Sequence, residues 1–114
     1  QATEFDTANA FDKTTNYRFQ PLVAGYYQVN GYVTYTTGQG TTETAVWVYK
    51  NGSLFKQLSD ALSNLYAYGG SSLIYLNGST DYIEAYGLIN GSGTLQFYGG
   101  QIFTYFQACF VRGA

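Results

Sequence analysis

Residues 25–36 read GYYQVNGYVTYT, and this stretch decides the fold. Successive side chains of a strand point to opposite faces. One face therefore carries Tyr27, Val29, Gly31, Val33 and Tyr35, and the other Tyr26, Gln28, Asn30, Tyr32 and Thr34. Aromatic and β-branched residues fit a pleated, half-buried surface, so the stretch reads as a strand. Its first face is a core face. Its second is aromatic and amide, whereas a solvated antiparallel face is polar and often charged. Residues 103–111, FTYFQACFV, share the property. One side carries Phe103, Tyr105, Gln107, Cys109 and Val111, the other Thr104, Phe106, Ala108 and Phe110. A 114-residue sandwich has no second layer to cover such outer faces. Another subunit is expected to cover them.

The rest of the chain follows the same pattern. Its 13 Tyr and 8 Phe favour strands throughout, and no stretch holds a helical apolar period over three turns. Strands are expected at residues 4–5, 9–11, 17–19, 25–36, 42–50, 53–58, 72–76, 81–88, 94–98 and 103–112. Asn51-Gly52, Asn77-Gly78 and Asn90-Gly91 suit two-residue hairpins, which need φ > 0 at both positions. Gly38-Gln39-Gly40 and Gly69-Gly70 mark further bends, and Pro21 precedes a strand without removing a ladder donor. Many short strands with regular turns predict an all-β sandwich or barrel, in one domain over residues 1–114.

Composition excludes several functions. Charged residues are only 11% of the chain, against roughly 25% in an ordinary soluble domain. Neutral polar side chains, or surface buried against a partner, must replace them. The five basic residues form no cluster that could neutralise several phosphates, so nucleic acid is not an expected ligand. No apolar run approaches the ~18 residues of a membrane-spanning helix. No secretory leader is visible, and the chain opens on Gln1, as expected of a processed product or a piece of a longer protein. The single Cys109 excludes an internal disulfide.

Catalysis has little to work with. There is no His, the commonest general base and transition-metal ligand, so Ser-His-Asp and Cys-His arrangements are impossible. Cys109 lies among Phe106, Ala108 and Phe110 and reads as a buried structural thiol. Asp81 and Glu84 stand three apart on an expected strand and so face apart, which does not suit a glycosidase pair. Asn51, Asn77 and Asn90 each begin an Asn-Gly-Ser glycosylation triplet, but hairpin chemistry already explains all three. We expect no enzyme, no catalytic or metal-ligating residue and no cofactor.

Residues 5–35, FDTANAFDKTTNYRFQPLVAGYYQVNGYVTY, resemble the start of a C1q/TNF-like domain. Asp6, Phe11, Phe19, Pro21, Gly25 and Tyr27 fall at the family's Asx, aromatic, Phe, Pro and Gly-x-Tyr places. Residues 46–52 (VWVYKNG) resemble its apolar strand and Lys-Asn-Gly turn. Residues 73–83 (LIYLNGSTDYI) resemble its strand–turn–Asp–strand unit, with Asp81 at the acidic place. Residues 104–110 (TYFQACF) resemble its closing strand, with Phe106 central. Val29 and Gly31 stand where the family has aromatics, and Ala108 where it has glycine.

The resemblance covers nearly the whole chain and implies a two-sheet antiparallel jelly-roll sandwich that assembles as a homotrimer. The sheet holding the final strand and the Gly-x-Tyr strand would face the threefold axis. We expect Phe19, Tyr27, Val29, Tyr105, Phe106 and Phe110 at that seam or in the core. Some C1q-like domains bind Ca²⁺, and Asp6 with Asp12 could offer carboxylates. Turn-forming roles are the reading preferred for both.

The Tyr-, Asn-, Gly- and Thr-rich composition resembles the C1q-like modules of bacteriophage virion proteins. That implies a virion-surface location and one of two roles. The preferred role is a fibre tip, a receptor-binding module that recognises a host surface glycan or protein. The alternative is a trimeric capsid decoration (cement) protein on a phage head. A secreted C1q-like ligand is a third reading, disfavoured by the absent animal-type cysteines. Tyr offers large contact area at low entropy cost. Tyr66, Tyr68, Tyr86 and Tyr98 are therefore the expected ligand-binding surface.

Overall fold

In the computed structural model, which describes residues 3–36, 40–62, 67–94, 96–100 and 102–114, the decisive stretch is one strand over the expected residues. Chain order gives β1 (Phe11–Asp12), β2 (Arg18–Phe19), β3 (Gly25–Thr36), β4 (Thr41–Lys50), β5 (Ser53–Ala61), β6 (Ala67–Leu76), β7 (Ile83–Gly91), β8 (Gln96–Phe97) and β9 (Tyr105–Arg112). No helix occurs among the described residues.

The strands form two antiparallel sheets. One runs β1-β2-β7-β4-β5. The other centres on β3, which pairs β6 along one edge and β9 and then β8 along the other. The links β2–β3, β3–β4, β5–β6, β6–β7 and β7–β8 each pass from one sheet to the other, while β1–β2, β4–β5 and β8–β9 stay within one. The result is an all-β two-sheet sandwich compatible with a jelly roll.

The alternation of β3 fixes the core. Val29 and Tyr35 are 0% exposed, and Tyr27 packs with Val48, Ile74, Leu76 and Ile83. Val33, Tyr35 and Val46 form a second cluster, against which Leu58, Tyr68 and Ile89 pack. On one flank of the sandwich β5 and β6 meet closely. A Cβ on Gly70 would strike the Leu58 backbone, so this glycine serves close approach. The sequence reading puts a bend at Gly69-Gly70; the structure puts both inside β6.

Other departures also have local causes. Only Asn51-Gly52 makes a two-residue hairpin, with φ of 52° and 81° between the paired Lys50 and Ser53. Asn77-Gly78 instead begins a link between sheets. There the Asn77 Oδ1 accepts from the backbone N–H groups of Ser79, Thr80 and Asp81. Asn90-Gly91 ends β7. Residues 4–5 form no strand, because the Asp6 carboxylate accepts from Ala10 N and Phe11 N and folds the segment into a turn. The first hairpin is shorter than expected: Asn9 and Tyr17 sit at φ of 50° and 54°, which ends the ladder on both sides.

Candidate functional site

The two outer faces of the sandwich differ in chemistry. On the four-stranded sheet the outward residues are Tyr26, Gln28, Asn30, Tyr32 and Thr34 from β3, and Tyr105, Gln107 and Cys109 from β9, in matching register. β6 adds Leu73 and Tyr75. Tyr32 stacks on Tyr105 with centroids 5.5 Å apart and planes 14° apart, and Tyr26 meets Tyr75 at 5.6 Å. Of the twelve charged residues in the chain, only Arg112 is paired onto this face, at its end and over the Tyr26 ring. Val111 is 54% exposed and Leu73 52%. A large apolar and amide face whose charges, Arg112 over Tyr26 and the Lys50 Nζ beside Tyr75, gather at one end is the profile of a surface that a partner covers.

The five-stranded sheet carries the charges. Glu43, Trp47 and Tyr49 of β4 lie beside Asn90, Tyr86 and Glu84 of β7. Gln57 and Asp60 of β5 complete the face. The Tyr49 and Tyr86 rings are 4.4 Å apart, and Trp47 stands directly opposite Tyr86 in the ladder. The Trp47 Nε1 is buried without a hydrogen-bond partner among the described residues, so Trp47 presents no donor to solvent. Arg18 stacks over Tyr82 at 4.4 Å, and Asn90 Nδ2 donates to Glu43 at 2.7 Å.

The flank opposite β5 and β6 is open. A groove of about 1280 Å³ runs there, lined among others by Phe5, Phe11, Phe19, Phe106 and Phe110. Phe106, Ala108 and Phe110 point inward from β9, yet Phe110, which lines the groove, is 45% exposed.

The expected site residues scatter over these surfaces. Phe19, Tyr27 and Val29 belong to the core, with Tyr27 OH donating to Val23 O at 2.7 Å. Phe106 packs against that core at the open flank, and Tyr105 alone of the six lies on the outer face of the β6-β3-β9 sheet. Of the expected ligand-binding tyrosines, Tyr86 lies on the charged outer face. Tyr98 contacts Phe103 at 5.9 Å near the open flank, and Tyr68 packs inward against Val33, Tyr35 and Val46. Tyr66 lies outside the described residues. The four do not form one surface. Trp47 and Tyr49, which sequence reasoning did not single out, are the residues that neighbour Tyr86. The signal was present in VWVY, where the two rings alternate with core valines.

Cys109 is a correction. The sequence reading buries it, but the register with Gln28 puts it on the outer face, exposed. Asp81 holds a structural knot: its carboxylate meets Lys50 Nζ at 2.9 Å, accepts from Asn51 Nδ2 at 2.8 Å and accepts from Asn77 N at 3.1 Å. These bonds, Asn51 first, hold its pKa below the usual carboxylate value. Asp12 is held low in the same way by the backbone N–H groups of Thr15, Thr14 and Asn16. Asp6 and Asp12 are thus each engaged with separate turns. Among the described residues no three His, Cys, Asp or Glu side chains come together as metal ligands. The amides of Asn51, Asn77 and Asn90 all hydrogen-bond within the fold. Compared with known proteins, the chain matches no family model, no curated protein and no solved structure.

Proposed function

We propose that this chain is a non-enzymatic binding module of C1q/TNF-like type that assembles as a homotrimer on a virion surface, as a phage fibre tip that recognises a host surface glycan or protein. The observation that carries the reading is the outer face of the β6-β3-β9 sheet. It is aromatic and amide, meets charge only at one end, from Arg112 over Tyr26 and Lys50 beside Tyr75, and exposes Leu73, Tyr75, Tyr105 and Val111. Closed cyclic association would remove that face from water without leaving an open end for further growth. The sequence resemblance points to the same sheet, since the Gly-x-Tyr strand β3 and the final strand β9 are neighbours in it. The seam residues of this reading are Tyr26, Tyr32 and Tyr105, with Gln107 and Cys109 between them.

One observation favours the second reading, a trimeric decoration protein that clamps capsid subunits. The open flank is apolar, and beside it Leu22 is 80% exposed, a surface suited to a shell. Binding of the labelled chain to whole bacterial cells and to undecorated capsid shells separates the two. A fibre tip binds cells and leaves shells bare. Saturable binding to shells with none to cells would replace the fibre-tip reading with the decoration one.

A further inference from the structure

Resting on the receptor-binding reading, we infer that the receptor site is the outer face of the β7-β4-β5 region, and that it takes a neutral or basic saccharide laid on the exposed Tyr86 ring beside Trp47 and Tyr49. If the β6-β3-β9 sheet faces the threefold axis, this face is the one turned away from it. Its centre is a set of rings: Tyr49 and Tyr86 lie 4.4 Å apart by centroid, and Trp47 is the direct ladder partner of Tyr86. Tyr86 is 47% exposed, so its ring is available to a ligand. A pyranose presents a flat patch of weakly positive C–H groups, which matches the negative face of an aromatic ring. The Tyr49 and Tyr86 planes are inclined at 42°, so the exposed Tyr86 ring is the face a sugar would lie on, with Tyr49 and Trp47 packed beside it and carboxylates within the same ladder to accept from its hydroxyls.

Charge decides which saccharide. Glu84 pairs with Tyr49 in the ladder, Glu43 flanks Trp47 one residue pair beyond Ala45, and Asp60 lies across on β5. Carboxylates accept hydrogen bonds from sugar hydroxyls, and they repel sialic acids, uronic acids and phosphorylated sugars. The cations around this sheet are engaged elsewhere: Arg18 over the Tyr82 ring at 4.4 Å, Lys50 with Asp81 at 2.9 Å and Lys56 over the Phe55 ring at 5.7 Å. The face therefore favours neutral or amino sugars over acidic ones.

The test uses the purified chain on an array of neutral, basic and acidic oligosaccharides, with lactose and sialyllactose as a matched pair. Bound sugars are then titrated against the emission of Trp47, the one tryptophan in the sequence. The expected result is saturable binding of neutral or amino sugars, a shift of Trp47 emission, and at least tenfold weaker binding in Tyr86→Ala. Tyr86→Trp should restore binding, which separates a lost ring from lost structure. Native mass checks that each variant still assembles. Binding of acidic sugars alone, no saccharide binding, or unchanged affinity in Tyr86→Ala would overturn the proposal. Cell binding keeps the two ideas apart. If the chain and Tyr86→Ala bind cells equally, the saccharide platform fails and the fibre-tip reading stands. If the parent chain binds no cells, that reading fails too.

Discussion

The Tyr35 hydroxyl donates a 2.6 Å hydrogen bond to the Ala45 carbonyl, joining β3 of one sheet to β4 of the other inside the core. Tyr35 is 0% exposed, so the bond is made where water does not compete. Tyr35→Phe should therefore cost about 1–3 kcal/mol in urea unfolding. Burial also pushes the Tyr35 pKa up to about 12 from an ordinary 10.0. A raised pKa stabilises below the unfolded-state value and fades as pH rises through the folded one. The stability gap between parent and Tyr35→Phe should accordingly shrink between pH 10 and 12. A gap that stays constant there would mean that the hydroxyl is not held as described.

Asp81 sets the acid limb. Its pKa is lowered from 3.8, first by the Asn51 amide and then by Lys50. The stability it supplies is complete above the ordinary carboxylate value and is lost as pH falls through the lower folded value. Asp81→Asn should be less stable than the parent at neutral pH and show a shallower decline below about pH 4. Thermal unfolding from pH 7 to pH 2 measures both. Some slope should survive, because Asp12 is held low as well.

Gly70 closes one flank of the sandwich. Gly70→Ala would drive a Cβ into the backbone of Leu58, a residue that packs against both core clusters and is held in place by them. Denaturant unfolding should show a loss of about 1–3 kcal/mol. Gly99→Ala, with nothing within 4 Å of its Cβ, should change stability little and serves as the control.

The outer face of the β6-β3-β9 sheet can be tested without touching the core. Gln107 pairs with Asn30 on β9 and β3 and points outward. Gln107→Glu would bring like charges together at a threefold seam, where a buried unpaired carboxylate is strongly unfavourable. It should yield a folded monomer with parent-like circular dichroism. Cys109, exposed on the same face, reports on coverage. Maleimide should modify it slowly in the parent assembly and at least tenfold faster in Gln107→Glu.

The sequence alone carried the fold through alternation. The stretch at residues 25–36 showed a core face and an uncharged outer face, and β3 has those bounds and those faces. Turns were less legible. Three Asn-Gly dipeptides look alike, but only Asn51-Gly52 joins adjacent strands of one sheet, because the others depend on which strands become neighbours in space. Cys109 was misplaced for a related reason. Residues 103–111 are apolar on both sides, and only the register with β3 shows that Phe106, Ala108 and Phe110 turn inward. Tyr68 and Tyr86 were equally suggestive as tyrosines, and strand pairing sends one into the core and the other to the surface.

The native mass of the purified chain, measured by light scattering over a dilution series, tests the central claim that the β6-β3-β9 face is covered by sister subunits. The account predicts a mass near three times 12.6 kDa that persists on dilution. A well-folded monomer at every concentration would contradict it.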